Sequence, residues 1–371
     1  MYLLDGDFFA AGLYNVVLKF EFNQEEGTWT NVTIVAGTGE KAKGDDGILG
    51  TASALNTPMG LSLIENANGD PADNANHRVR KLDMSTRMIT TIAGNGVSGD
   101  VGDGGLAKDA QLKLPRHVYY DKSNDDIYIL DTGNKRIRRV RDGTITTVVG
   151  KPCSFGGALG DGGQATGACF SFPIHFMMNN AGEWFVVDFS DNRIRKVYLN
   201  GTITTVAGGG TIPGDAPATS VKLNNPMSIA FLPSGEMLVA DHGGASVILK
   251  MDNSGFMKII AGGGSEALSS TDPIPAKNVS TSPLAFAIAR DGSDAIFVCD
   301  NSGYFSSYLT KQSVMVFGPT IQPFALATVP VLVLMSASVT MGGCKSIARS
   351  LTALVSHPTC QIESVQARAS A

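Results

Sequence analysis

One short apolar string, met five times at nearly constant spacing, limits this chain more than any other feature. VTIVAG (32–37), ITTIAG (89–94), ITTVVG (145–150), ITTVAG (203–208) and MKIIAG (257–262) start 57, 56, 58 and 54 residues apart. Prolines keep the same period at Pro58, Pro115, Pro173, Pro226 and Pro283. So do aspartates that end an apolar run, at Asp73, Asp131, Asp188, Asp241 and Asp300, with Asp5 after Tyr2-Leu3-Leu4 read as a degenerate sixth. A repeat of this length builds one domain by stacking supersecondary units, so 371 residues need not mean two or three domains.

The unit from Leu114 to Gly150 reads most clearly. Pro115 leads HVYYD, then the turn KSNDD, then IYILD, the loop TGNK, RIRRVR, the turn DGT and ITTVVG. Four short runs rich in Ile, Val and Tyr, separated by Asn, Asp and Gly, predict four antiparallel strands. Asp142-Gly143 and Asn200-Gly201 sit where two-residue hairpins want residues that tolerate positive φ. The 43 glycines favour many tight turns, and no third-residue glycine period or heptad run points to collagen or a coiled coil. A four-stranded sheet repeated about six times is the pattern of a β-propeller. The expected fold is therefore all-β: a six-bladed β-propeller of four-stranded antiparallel blades over residues 1–343. A tail over 344–371 follows, where Ile347, Leu351, Leu354 and Val355 keep helical spacing.

The strings DNANHRVRKL (73–82), DTGNKRIRRV (131–140) and DFSDNRIRKV (188–197), each followed by an ITTVAG-like strand, resemble the NHL-repeat family of propellers. The likeness spans about residues 1–310 and weakens where Ser246 and Phe305 replace the patterned arginine. It implies a fold more than an activity, because propellers of this family serve as protein-binding platforms, RNA binders, ligand sensors or, rarely, lyases.

The strand order puts the linkers before each proline and the Asp-led loops on one face, which we call the loop face. The KSNDD and DGT turns fall on the opposite, turn face. Long loops on rigid strands usually carry binding residues, so the expected binding set is Arg116, His117, His175, Asn134, Lys135, Asp131 and Asp188. No catalytic constellation is visible, and the favoured function is a non-enzymatic platform for a protein or peptide, or a small ligand. The alternative is a metal-dependent lyase or hydrolase at the channel mouth. It rests on His117 and His175, which stand two residues after adjacent register prolines. The amidating lyases that resemble this fold place histidines around a channel zinc, but the same register here also holds Gly60, Ser228 and Ala285, and a catalytic zinc takes three protein ligands. No metal site and no cofactor are therefore expected.

The recurring GDDGIL (44–49), GDGGLA (102–107), GDGGQA (160–165) and GDAPAT (214–219) lack the ligand set of a calcium loop and read as turns hooking one blade to the next. Arg78, Arg136 and Arg193, five residues after their aspartates, read as structural ion-pair partners. A net charge of −5 and the absence of a basic or aromatic series argue against nucleic acid.

The opening MYLL carries neither a basic start nor an apolar run of leader length, and the chain reads as entering its first blade part-way. Residues 324–343 are uncharged and mostly apolar, followed by Lys345 and Arg349. They read first as strands that close the ring beside Tyr2, and second as a membrane span, the only expected membrane contact. Sequons at Asn31, Asn200 and Asn278 allow an extracellular or membrane-tethered setting. Cys153 and Cys169 are either bridged or two free thiols.

Overall fold

The computed structural model describes the backbone of residues 2–4, 7–11, 15–23, 28–64, 68–153, 159–244, 246–265, 274–275, 283–288, 296–300, 305–309 and 313–317. It describes side chains over 15–19, 32–62, 71–153, 159–244 and 246–265. The expected helical tail and the segment 324–343 lie outside these residues. Among the described residues no helix is long and apolar enough to cross a membrane.

Among the described residues the strands form six sheets, each built on a four-stranded antiparallel meander, and the second, fifth and sixth add a short linker strand (Ile48–Leu49, Ala216–Pro217, Ile274–Pro275) at the outer edge. In the third sheet Pro115–Asp121, Asp126–Asp131, Arg136–Arg141 and Thr144–Val149 follow one another from the inner to the outer edge. The register prolines open the inner strands Pro58–Ile64, Pro115–Asp121, Pro173–Met178, Pro226–Phe231 and Pro283–Ile288. Proline suits this place, since a strand's first residue need not donate to the ladder. Each inner strand packs against its neighbours', and that of the sixth sheet meets Tyr2–Leu4 of the first.

The first sheet departs from the expectation. It is complete within the N-terminal segment, as Tyr2–Leu4, Asp7–Ala11, Val17–Asn23 and Thr28–Ala36. Tyr2-Leu3-Leu4 is therefore an inner strand, not the end of a second strand, and Asp5 lies between the two. The place of the register aspartate is taken by Ala11, four residues before Asn15, as Asp73 and Asp131 precede His77 and Lys135. Residues 324–343, read above as the strands that close the ring beside Tyr2, lie outside the described residues. Ahead of them Ser313–Phe317 pairs with Phe305–Leu309 as the outer strand of the sixth sheet's meander.

Apolar side chains meet between sheets. Val118 and Ile129 of the third sheet pack with Ala72 and Val79 of the second, all at most 1% exposed. Leu130 and Ile137 meet Phe176 and Val186 of the fourth. The hairpin turns follow the glycines. Asp142 and Gly143 both have positive φ, as a two-residue turn requires. Asn200 does not, because Tyr198 N–H donates to the Thr202 carbonyl and closes a longer loop in which only Gly201 is left-handed.

The GDGG segments hook blades as expected, and the structure adds the reason for their aspartate. Gly104 N–H donates to the Ile145 carbonyl, and Ile145 N–H to the Gly105 carbonyl, so the linker lines the next sheet's outer edge. Asp103 then accepts from Arg138 Nε at 2.9 Å and from Thr147 Oγ1 at 2.6 Å. Asp46 with Arg80 and Thr91, and Asp161 with Arg195, repeat the arrangement. Arg80, Arg138 and Arg195 are fully buried. The fourth linker has Gly214 at the aspartate's place, and there the arginine is Leu249 and the threonine Ile259, paired across the strands. All three polar members are replaced together.

Candidate functional site

The loop face is fixed by two sets of hydrogen bonds. The register aspartates are buried and reach back to the segment before each proline: Asp73 accepts from Asn56 N–H, Asp131 from Lys113 N–H, Asp188 from Ser171 and Phe172 N–H, and Asp241 from Asn224 N–H. Arg78 bonds Asp73 at 2.9 Å and Arg136 meets Asp131 at 3.4 Å, as the spacing predicts. Arg193 does not; it donates to the Asp191 carbonyl.

The second set joins neighbouring blades. Asn15, His77 and Asn192 end their loops in left-handed conformations, and so do Thr57, Leu114 and Asn225, the residues before the prolines. Thr57 N–H donates to Asn15 Oδ1, Leu114 N–H to His77 Nδ1 and Asn225 N–H to Asn192 Oδ1. Each strained pre-proline residue is thus tied to the previous blade. Lys135 has no acceptor; its ammonium holds the Cys153 carbonyl at 3.1 Å, and Phe172 stays out of the left-handed region.

These bonds decide where the expected binding residues stand. Asp131, Asp188 and Asn134 were placed in the binding set, and the structure turns them inward. Asp131 and Asp188 have no exposed surface, and Asn134 bridges the Gly99 carbonyl and Asp131. Burial raises the Asp131 carboxyl, raises Asp188 to about 6, and raises Asp241, which has no arginine beside it, to about 7.

Arg116, His117 and His175 do come together, on the inner strands of the third and fourth sheets. The imidazole centroids lie 4.4 Å apart, and Phe176 meets His117 edge-on at 5.1 Å. Gly60 completes the packing on the other side, where a Cβ would come within 2.4 Å of His117 Cα. The rings are neutral. Burial, then His175, lowers His117 well below the ordinary imidazole value, and burial with Arg116 nearby brings His175 to about 3. Ile229 N–H approaches His175 Nδ1 at 3.5 Å, which leaves the ring proton on Nε2 as a donor. His117 Nδ1 and Ser228 Oγ are buried with no hydrogen-bond partner. Arg116 has no ion pair among the described residues, and burial alone lowers its pKa. Two imidazoles and a serine do not make the three-ligand set of a catalytic zinc. Among the described residues no group of three His, Cys, Asp or Glu is placed to hold a metal.

Other features lie around this arc. Leu114 and Phe172 are exposed beside the prolines, and Val97, Val101 and Ile212 in the linkers; sequence reading singled out none of them. Cys153 and Cys169 are free thiols. Cys153 Sγ donates to the Phe170 carbonyl at 3.8 Å, and burial first, then the neighbouring Cys169, raises Cys153 to about 11. A cleft of about 580 Å³ opens on the turn face between the fourth and fifth sheets, lined by Asn179, Lys196, Tyr198, Phe231 and Asn253. Its lysine is engaged by Glu183 at 2.7 Å.

Comparison with known proteins names the repeat. NHL repeat-containing protein 2 from Bos taurus is 26% identical over 247 residues, covering 57% of this chain and 33% of that protein. Teneurin-3 from Mus musculus is 25% identical over 245 residues, 57% of this chain and 9% of that protein. The chain is similar to NHL-repeat propellers. It spans about a third of the first relative and under a tenth of the second, and no family model matches it. Among solved structures the propeller is similar to one from a nidogen/laminin complex, with a TM-score of 0.55 at 13% identity over 84% of this chain and 93% of that one. It is also similar to a virginiamycin B lyase from Staphylococcus aureus with quinupristin, with a TM-score of 0.51 at 14% identity over 87% and 84%. At these identities the likeness is one of fold alone.

Proposed function

We propose that this NHL propeller is a six-bladed, non-enzymatic binding platform that takes a protein or peptide on its loop face. The observation that carries the reading is the contrast between the loop face's frame and its rim. The aspartates, arginines and left-handed residues are bound within the fold, while Arg116, Leu114 and Phe172 remain without internal partners or exposed on the same side. Rigid loops presenting apolar and cationic groups suit protein recognition. The neighbour from a nidogen/laminin complex accords with a propeller that engages another protein.

The runner-up, a lyase or hydrolase at the channel mouth, draws on the paired histidines and on the lyase neighbour. The geometry supports it less, because a general base works best with a pKa near the working pH, and His175 lies near 3.

The test compares faces. Leu114→Ala, Phe172→Ala and Lys135→Ala should weaken capture of a partner at least tenfold with little change in melting temperature. Equal losses from Ser123→Ala or Asp142→Ala on the turn face would refute the assignment. Zinc bound one-to-one and lost in His175→Ala would favour the runner-up.

A further inference from the structure

We infer that the channel mouth holds a small oxyanion, a carboxylate or phosphate group, between Arg116 and the arc of His117, His175 and Ser228. The inference deepens the loop-face reading, since these residues stand on the inner strands whose ends carry that face.

Three separate features of the arc ask for the same occupant. The first is charge. Arg116 keeps a guanidinium in a half-buried place with no carboxylate paired to it among the described residues, although the buried arginines of the second and third sheets each have one: Arg78 and Arg80 have Asp73, and Arg136 and Arg138 have Asp131. A buried cation without an anion is costly, and folds normally supply the partner. Here a ligand would supply it.

The second is hydrogen bonding. His117 Nδ1 and Ser228 Oγ are buried without partners. They belong to adjoining parts of one arc, because His117 stacks on His175 and His175 Nδ1 faces Ile229 N–H, the residue after Ser228. A hydroxyl and a neutral imidazole both donate, and His175 donates through Nε2. One guanidinium and a set of neutral donors match an oxyanion and do not match a cation.

The third is shape. Gly60 stands at the register position before His117, and a side chain there would strike the His117 backbone at 2.4 Å. The register thus runs glycine, histidine, histidine, serine over four successive inner strands, small at both ends and polar in the middle. Backbone ladders do not require that gradation, since the next inner strand carries Ala285 at the same register.

The experiment titrates the full-length chain with inorganic phosphate, and separately with acetate, at constant ionic strength and pH 7.5. Binding is followed by the imidazole NMR signals and by calorimetry. His77 and His242 on the loop face serve as internal controls. We expect the His117 and His175 signals to move saturably while the controls stay still. Arg116→Gln should weaken binding at least tenfold, and Ser228→Ala several-fold. Preference for phosphate or acetate assigns the source of the oxyanion. Arg116→Gln should also melt no lower than the parent chain, because it removes an unpaired charge. Unmoved His117 and His175 signals, a titration unchanged by Arg116→Gln, or a large loss of melting temperature in that variant would each overturn the inference. Leu114→Ala and Phe172→Ala should leave phosphate binding intact. Loss of partner capture in those variants with phosphate still bound separates the two readings, as does capture that persists in a chain that binds no oxyanion.

Discussion

At the scale of single residues, the chain contains its own comparisons. Asn15, His77 and Asn192 accept the same hydrogen bond from the left-handed residue before a proline. His77→Asn should therefore be neutral or slightly stabilising, as asparagine both accepts the bond and tolerates left-handed φ. His77→Ala should cost about 1 kcal/mol in urea unfolding. Burial lowers the pKa of His77. Its contribution is then present above the ordinary imidazole value and lost as pH falls through the lower folded value, so the advantage of His77→Asn over the parent should grow in acid. Asp241 works in the other sense. Its pKa is raised to about 7 by burial, so its contribution is full below the ordinary carboxylate value near 3.8 and is lost as pH rises through 7. Asp241→Asn keeps an acceptor for Asn224 N–H without the charge. Its unfolding curve should match the parent's near pH 4 and exceed it at pH 8 by on the order of 2–4 kcal/mol; a gap that stays constant with pH would disprove the assignment.

At the scale of elements, the sequence made the strands and their order readable because proline, aspartate and the ITTVAG string each mark one end of a strand. Hydrophobic period and turn residues do that without tertiary information. What it left hidden was partnership across 34 to 45 residues. Asp46 with Arg80 and Thr91 is one such set, and nothing in local spacing pairs them. The first blade was misread for a related reason: Tyr2-Leu3-Leu4-Asp5 imitates the end of a second strand, and only sheet pairing shows it to be an inner one. Of the candidate site, the histidines were legible from their register. The inward turn of Asp131, Asp188 and Asn134 was not, since exposure of a loop residue depends on the linker folded over it. The linker hook gives a test at this scale. Arg138→Leu alone leaves Asp131 buried beside one arginine and Asp103 with Thr147 and the more distant Arg136 only, and should cost about 3–5 kcal/mol. Asp103→Gly and Thr147→Ile added to it reproduce the Gly214, Leu249 and Ile259 solution of the fifth sheet. The triple variant should recover at least half of the loss in chemical denaturation. Additive losses would mean that the apolar version depends on its own sheet.

At the scale of the whole molecule, the described residues bring the two ends of the ring together by packing between sheets that each hold their own four strands. The first sheet draws all four strands from residues 2–36, and the sixth takes Phe305–Leu309 and Ser313–Phe317 as its last two. Tyr2–Leu4 meets Pro283–Ile288 at the inner edge, so among the described residues closure rests on the sixth sheet. A chain ending at Phe317 should accordingly stay soluble and melt within a few degrees of the full chain. A chain ending at Thr310 is different. It loses Ser313–Phe317, which pairs with both Phe305–Leu309 and the linker strand Ile274–Pro275, and leaves a bare strand edge open to pairing with other molecules. It should aggregate or melt far lower in detergent-free buffer. Light scattering and thermal unfolding of the two chains decide the matter: failure of the chain ending at Phe317 would show that residues 318–343 are needed for closure, and a stable chain ending at Thr310 would show that the sixth sheet tolerates the loss of its outer strand.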